Sequence, residues 1–259
     1  MDVRDRVLVA SVLAVRRRCE RVAGAEVLHR DGLVLSLTNV PEPSLNSAYV
    51  EREPADPRWA LAWGEEEMAR RGHAFGLDYP PGRWPALDRA VREAGLERLL
   101  SRPVMVAEIA SVAEAVVPPG VRIEPVERRD QALTHARVDA TAFGSSLEIS
   151  ERVFAPGLVG VEGARAFLAW RGDEPVGGSV AQEGAGATGV FGVGVLPEAR
   201  GRGIGAALTV AAVCAFPADL AWLVPSDLAR PMYERLGFRE LETWEVWVRP
   251  DSRPTATAP

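Results

Sequence analysis

Cysteine and histidine are scarce in this sequence, with two and three copies among 259 residues. Cys19 and Cys214 lie far apart, each in an apolar stretch, so we expect two buried free thiols in a reducing cytoplasm and no disulfide framework. The histidines show no ligand spacing, which argues against a metal site. Because 47% of the residues are hydrophobic, the chain can form a sizeable core without such cross-links.

Long apolar runs and an excess of positive charge are absent as well. The run Val7–Val15 is too short to span a bilayer, so we expect no membrane partner. We interpret it as part of an amphipathic helix whose end carries the solvated side chains Arg16, Arg17 and Arg18. The net charge is −6 and the pI is about 5.3, which disfavours a nucleic-acid partner and mildly favours cationic substrates.

The segment Val116–Gly120 contains two adjacent prolines and a glycine and is the best candidate for a domain boundary. It predicts one domain over residues 1–117, a second over 118–250 and a disordered tail over 251–259, which lacks apolar anchors. In the first domain, Asp31-Gly32 between alternating apolar runs predicts a β-hairpin.

The second domain is predicted to alternate strands and helices, which indicates an α/β class with a mixed sheet. The predicted strands span 121–125, 164–171, 175–182, 188–196, 220–224 and 238–248, and the predicted helices span 129–143, 203–215 and 228–236, with a further short helix before 157.

A glycine-rich turn follows the predicted strand 188–196. Its sequence is Arg200-Gly201-Arg202-Gly203-Ile204-Gly205-Ala206, and an alanine-rich helix begins within it. Glycines at alternate positions let successive backbone N–H groups face one ligand. The helix N-terminus adds a partial positive charge and the two arginines add full ones. The turn therefore predicts an anion site that suits a pyrophosphate.

Three other interpretations of this turn have to be considered. A P-loop needs Gly-x4-Gly-Lys-Ser/Thr, and no lysine or hydroxyl is in place. The dinucleotide fingerprint fits by letter, because Gly201-x-Gly203-x-x-Ala206 satisfies its looser form, but only about fifty residues follow, too few to finish a doubly wound sheet. A turn that serves packing alone would not need two interleaved arginines.

At this point a family resemblance becomes specific. Arg200–Ala206 resembles the Arg/Gln-x-x-Gly-x-Gly/Ala motif of the GNAT acetyltransferase superfamily, which in that family cradles the pyrophosphate of CoA. Downstream, the residues from Ser226 to Phe238 resemble the family's Asn-x-x-Ala-x-x-Leu-Tyr-x-x-x-Gly-Phe segment, with Ser226 in place of the asparagine. The resemblance covers residues 121–249 and implies a GNAT-like mixed α/β fold with acetyl-CoA as co-substrate and no metal.

The resemblance also implies which residues hold acetyl-CoA. The backbone of strand 190–196 would pair with the pantetheine arm, and the turn would hold the pyrophosphate. Ser226 can bond CoA, although capping the next helix suits a serine better. The implied CoA-binding residues are Val193, Gly194, Val195, Arg200, Gly201, Arg202, Gly203, Ile204, Gly205, Ala206, Ser226 and Tyr233.

In GNAT enzymes a primary amine attacks the thioester directly in a ternary complex, which requires a base for the amine and an acid for the departing thiolate. By position, Tyr233 is the implied general acid, with ring packing beneath CoA as the alternative. Strand 188–196 contains no carboxylate, so Glu183 after the preceding strand is our first candidate for the base. Glu148 and Asp139 are alternatives, as is water alone. We assign no chemistry to Gly237, a helix C-cap, or to Phe238, a core residue.

The first domain resembles the degenerate N-terminal halves of tandem GNAT proteins and has no equivalent of the glycine-rich turn. Such a half would wall off the acceptor site. The wall candidates are Asn39, Asn46, Trp59, Trp63 and Trp84, with buried core as the alternative for the tryptophans.

The sequence as a whole predicts a cytoplasmic N-acetyltransferase that acts on a small-molecule or peptide amine, and it leaves a homodimer open. A non-catalytic acyl-CoA sensor on the same fold is the alternative, and a nicotinamide-cofactor protein is a weaker third.

Overall fold

A computed structural model describes residues 1–252 of the chain, so most of the predicted disordered tail, 253–259, lies outside the described residues. The strands are β1 (Glu26–Arg30), β2 (Leu33–Leu37), β3 (Asn46–Val50), β4 (Gly76–Tyr79), β5 (Glu97–Glu108), β6 (Val121–Pro125), β7 (Ala164–Arg171), β8 (Glu174–Gly184), β9 (Ala187–Val195), β10 (Leu220–Leu223) and β11 (Arg239–Val248). The helices are α1 (Val3–Glu20), α2 (Pro57–Arg70), α3 (Pro85–Glu93), α4 (Arg129–Phe143), α5 (Leu147–Ile149), α6 (Ile204–Val213) and α7 (Arg230–Arg235).

The chain divides into two compact units. The first unit comprises Met1–Val22 and Val104–Leu241, and the second comprises Ala23–Pro103 and the chain from Glu242 onward. This division differs from the predicted boundary at 117/118. Helix α1 packs on β8 and β9, and the end of β5 pairs with β10, so both segments are held in the first unit by contacts distant in sequence.

The first unit is built on a mixed sheet with the strand order β5-β10-β9-β8-β7-β6. The neighbours are antiparallel except for β9 and β10, which run parallel. Helix α6 provides the crossover that this parallel pair requires. The prediction of a mixed α/β sheet is confirmed, and the predicted helix 129–143 and strands 121–125 and 164–171 match α4, β6 and β7.

Glycines along β8 let helices approach the sheet closely on both faces. A Cβ atom on Gly177 would lie 2.9 Å from the Leu208 side chain of α6, and one on Gly178 would lie 2.7 Å from His135 of α4. Farther along β8, a Cβ atom on Gly184 would lie 3.0 Å from Ala10 of α1. Because side chains alternate between the faces of a strand, α6 covers one face and α1 and α4 cover the other.

The second unit contains the predicted hairpin, with β1 and β2 antiparallel. Asp31 (φ 43°) and Gly32 (φ 82°) form its turn in the left-handed region, as the Asp-Gly pair predicts. Strand order in this unit is β1-β2-β3-β4-β11. Strand β3 was not predicted, because its first residues, Asn46 and Ser47, are of types that favour loops, and pairing with both β2 and β4 outweighs that preference.

Two predictions about single residues are wrong. Cys214 is exposed, because it follows the last turn of α6, whereas Cys19 is buried as predicted. Arg17 and Arg18 are not a solvated helix end, because α1 continues to Glu20 and carries both side chains into a partly buried position.

Among the helices of residues 1–252, none combines the length and the hydrophobicity that crossing a membrane requires.

Candidate active site

Strand β9 separates from β10 half-way along its length. The two strands pair only at Leu220↔Ala187, Ala221↔Thr188 and Trp222↔Gly189, and β9 then continues to Val195. Beyond Gly189 it pairs with β8 alone within the described chain. The backbone edge that faces away from β8 is therefore left without a sheet partner. Such an edge can hydrogen-bond an extended ligand that enters between the two strands.

A β-bulge lies in the separated part of β9. Val180 of β8 pairs with Phe191, but Gly178 pairs with Gly194, so β9 carries one extra residue over this interval. Gly192 has φ 55°, a left-handed conformation that glycine adopts without steric cost. As a consequence of the bulge, the consecutive residues Phe191 and Gly192 both line the cavity described below.

The glycine-rich turn joins β9 to α6. Gly201 (φ 74°) and Gly203 (φ 83°) are both left-handed. The first backbone bond of α6 runs from the Ala207 N–H to the Gly203 carbonyl, so the N–H groups of residues 204–206 have no intrahelical acceptor. These donors and the helix dipole form a site in which a phosphate group can be bound.

The two arginines of the turn have different roles. The Arg200 guanidinium donates from Nε to the Val195 carbonyl at 3.0 Å and from Nη2 to the Ala142 carbonyl at 2.9 Å. It thereby ties the turn to the ends of β9 and α4. Arg202 is exposed, so its side chain is the better placed of the two to reach an anion at the turn.

The second motif lies directly against the first. The Met232 Sδ atom is 3.3 Å from the position that a Cβ on Gly205 would occupy. The Tyr233 side chain is hydrogen-bonded to Thr209, which lies one helical turn after Gly205 on α6. Burial raises the pKa of Tyr233 to about 12, against the opposing effect of the Thr209 bond. The phenol therefore carries its proton at neutral pH. Its ring packs edge-on against Phe238 at 5.9 Å between centroids.

The remaining residues of the second motif have structural roles. The Ala229 N–H donates to Ser226 Oγ at 3.3 Å, so Ser226 caps the turn before α7. Gly237 (φ 96°) follows α7 in the left-handed region, and Phe238 is buried. All three observations agree with the roles predicted from the sequence.

A cavity of about 450 Å³ lies on the face of the sheet that α1 and α4 cover. Its walls come from α1, α4, the segment 145–161 and strands β7, β8 and β9, all within the first unit. The lining is mainly apolar. Its polar side chains are those of Arg17, Arg18, His135, Asp139, Ser145 and Gln182.

Asp139 is the carboxylate of this cavity. It lies on the inner face of α4, and its Oδ1 atom is 3.4 Å from the position of a Cβ on Gly192, beside the β-bulge. Burial raises the pKa of Asp139, and a hydrogen bond from Ser150 Oγ to Oδ2 at 3.4 Å opposes this increase. The resulting pKa is about 6. A carboxylate with this pKa is largely deprotonated at neutral pH yet more basic than an exposed one, as a general base requires.

His135 is one turn before Asp139 on the same face of α4. Its Nε2 atom is 3.3 Å from the Ser179 carbonyl, which can only accept, so Nε2 carries the proton. Burial lowers the pKa of His135 to about 4, and the ring is neutral at physiological pH. Its Nδ1 atom is therefore an acceptor.

Residues 162–240 match the acetyltransferase (GNAT) domain family. A GCN5-related N-acetyltransferase from Kribbella flavida has a similar structure over 96% of each chain, with a TM-score of 0.77 and 23% sequence identity. The family match thus identifies a GNAT domain at residues 162–240 of this chain.

Other solved structures extend the comparison. A GCN5-related N-acetyltransferase from Sphaerobacter thermophilus is 19% identical, with a TM-score of 0.59 over 84% of this chain and 80% of that one. A tandem GNAT protein from the clavulanic acid biosynthesis pathway is 17% identical, with a TM-score of 0.60 over 83% of this chain and 77% of that one. This likeness supports the predicted tandem arrangement. No curated protein matches the chain.

The GNAT domain does not bring every candidate base to the cavity. Glu183 lies opposite Thr188, about 13 Å along the strand from Gly192 at roughly 3.3 Å per residue, and it is not a lining residue. Glu148 is exposed on α5 and does not line the cavity either. The sequence carried a signal for the better candidate, because His135, Asp139 and Phe143 are spaced four residues apart on one helix face.

The wall residues proposed from the first domain do not line this cavity. Asn39 Nδ2 donates to the Gly24 carbonyl and Asn46 Nδ2 to the Val40 carbonyl, so both amides support loops of the second unit. Trp59 is 46% exposed, whereas Trp84 is buried.

The contrast between the two arginines of the GNAT turn is testable by unfolding. Arg200→Met removes two hydrogen bonds to backbone carbonyls and should lower the free energy of unfolding by about 1–2 kcal/mol. Arg202→Met removes the same charge from the same turn and should change it by less than about 0.5 kcal/mol. Urea unfolding followed by tryptophan fluorescence measures both. Equal destabilisation by the two variants would contradict the structural role of Arg200.

Proposed function

We propose that this protein is an acetyl-CoA-dependent N-acetyltransferase that transfers an acetyl group to a primary amine by direct attack in a ternary complex. The observation that carries the proposal is the junction at the β9 bulge. There an unpaired strand edge that leads from the glycine-rich turn meets a cavity that contains the partly buried carboxylate of Asp139. The donor and the acceptor would each enter from its own side and meet beside Gly192.

The turn supports binding of the donor. The N–H groups of residues 204–206 and the Arg202 side chain would hold the CoA pyrophosphate, with Gly201, Gly203 and Gly205 allowing its close approach. The backbone of Val193, Gly194 and Val195 would hydrogen-bond the pantetheine arm along the free edge of β9. A P-loop or dinucleotide fold is not supported, because the sheet around the turn is that of a GNAT domain.

Two side chains would move the protons. Asp139 accepts a proton from the amine, either directly or through a water molecule, and the free amine then attacks the thioester carbonyl. As the C–S bond breaks, the CoA thiolate takes the proton of Tyr233. The attacking nitrogen then loses its second proton, which returns through water to the Tyr233 phenolate, and Asp139 releases its own proton to solvent. We assign the base to Asp139 in place of Glu183, because Asp139 is partly buried in the cavity and lies at the bulge.

The direct test is thiol release from acetyl-CoA in the presence of a panel of primary amines, with Tyr233→Phe as the comparison. Phenylalanine keeps the ring packing and removes only the hydroxyl. We expect kcat to fall by about 100-fold, because general acid catalysis typically contributes that much or more, with the KM for acetyl-CoA within about threefold of the wild-type value.

Several outcomes would count against the proposal. Unchanged turnover of Tyr233→Phe would remove Tyr233 from the mechanism. Tight CoA binding without thiol release from any amine would favour an acyl-CoA sensor. Thermal stabilisation by NAD(P) but not by CoA would contradict the assignment of the donor site.

Asp139→Asn should affect activity and stability in opposite directions. Wild-type kcat/KM should rise with pH through about 6 as Asp139 loses its proton, and the Asn variant should lose this rise and most of its activity. Because the folded-state pKa is raised, the charged carboxylate destabilises the native state above that pH. At pH 8 the variant should therefore be more stable than the wild type, by about 1–3 kcal/mol.

Activity profiles from pH 5 to 9 and urea unfolding at pH 8 measure the two effects. An Asn variant that keeps its activity and the pH-dependent rise would exclude Asp139 as the base. His135 also lines the cavity, but burial lowers its pKa to about 4, below the rise expected for Asp139.

A further inference from the structure

The cavity contains an arginine with two buried donor atoms that have no partner among residues 1–252. Arg18 extends from α1 into the lining, and its Nε and Nη2 atoms are buried with no hydrogen-bond partner in the described chain. The neighbouring Arg17 is different, because its Nη1 donates to the carbonyls of Gly163 and Glu183. Two arginines that are adjacent in sequence therefore have separate tasks. One holds α1 against the sheet, and the other presents free donors to the cavity.

Acceptor atoms occur elsewhere on the same lining. Gln182 Oε1 and His135 Nδ1 are buried and have no hydrogen-bond partner among the described residues. The carboxylate of Asp139 is a third acceptor, and its Oδ2 atom accepts a hydrogen bond from Ser150 Oγ at 3.4 Å. Unpaired donors thus come from α1, and unpaired acceptors come from α4 and β8.

Buried polar atoms without partners are costly, and in native proteins most of them are satisfied. A cavity that contains both unpaired donors and unpaired acceptors can be completed by a ligand that carries a hydrogen-bond acceptor at one end and a donor at the other. An arginine fork matches a carboxylate through two parallel hydrogen bonds, and carboxylate and amide oxygens match an ammonium or amine group. The rest of the lining, which includes Val15, Phe154, Leu158 and Val161, is apolar.

We propose that the acetyl acceptor is an amino acid or a similar small amino-carboxylate with an apolar side chain. Its carboxylate would bind Arg18, and its amine would lie between Asp139 and the bulge at Gly192. This inference rests on the proposed N-acetyltransferase function and narrows its substrate. It also shows why the net negative charge of the chain does not indicate the substrate, since the charged groups of the cavity are two arginines and one aspartate.

The test compares amines that differ only in the carboxylate. Suitable pairs are leucine and 3-methylbutylamine, phenylalanine and 2-phenylethylamine, and 4-aminobutanoate and propylamine. In thiol-release assays the wild type should show a kcat/KM at least about 30-fold higher for the preferred acid than for its amine, since an amine that lacks the carboxylate leaves Arg18 unpaired.

Arg18→Met keeps much of the apolar stem and removes the charge, so it should abolish this preference. We expect kcat/KM for the acid to fall about 30-fold or more, and kcat/KM for the amine to change less than about threefold. Arg16→Met removes the same charge from the same helix outside the lining and should preserve the preference. Equal kcat/KM values for acids and amines in the wild type would overturn the proposal, as would an unchanged preference in Arg18→Met. The wild-type comparison decides the question if Arg18→Met does not fold.

A binding measurement separates this inference from the proposed function. Leucine, phenylalanine and 4-aminobutanoate are added at millimolar concentration with CoA, and the shift in Tm is recorded. If no amine releases thiol, the enzyme proposal fails. Stabilisation by an amino acid that is lost in Arg18→Met would still support the ligand class. If none of the three amino acids stabilises the protein, the proposed ligand class is overturned.

Discussion

The separation of β9 from β10 is the constraint on which the candidate site depends. Three pairs of residues hold the parallel strands together, and beyond Gly189 the edge of β9 is free. Sheet hydrogen bonding is the usual way to satisfy a buried strand, so an edge left open in the middle of a sheet invites an extended ligand. The bulge at Gly192 then turns two consecutive residues toward the cavity. The proposed donor groove and the proposed acceptor cavity meet at this point.

The polar side chains around that junction carry a cost in stability. Burial raises the pKa of Asp139, and Arg18, Gln182 and His135 have buried atoms that lack a hydrogen-bond partner in the part of the chain that the structure describes. The apolar core of the first unit, between α6 and the sheet, compensates for this cost. Polar groups without partners are expected where a ligand completes their hydrogen bonds. The free energy of these hydrogen bonds then contributes to ligand binding and not to folding.

Much of the fold could be predicted from local signals. Gly144 ends α4 in the left-handed conformation, Asp31-Gly32 forms the hairpin, and the glycine-rich turn opens α6. The family resemblance predicts the donor side from two sequence motifs, and the structure places these motifs against each other. The proposed acceptor side was harder to predict, because its cavity combines α1 with α4 and β8, which both lie more than a hundred residues after α1 in sequence. Glu183 was chosen for its position near a strand end, but the register of β8 places it far from the bulge.

The most direct test of the account is a crystal structure of the protein with bound acetyl-CoA. We expect the pyrophosphate on the N–H groups of residues 204–206, the pantetheine amides hydrogen-bonded to the free edge of β9 at residues 193–195, and the acetyl group beside Gly192, facing Asp139. Binding of CoA away from β9, or an acetyl group with no opening to the cavity of Asp139, would contradict the claim that donor and acceptor meet at the bulge.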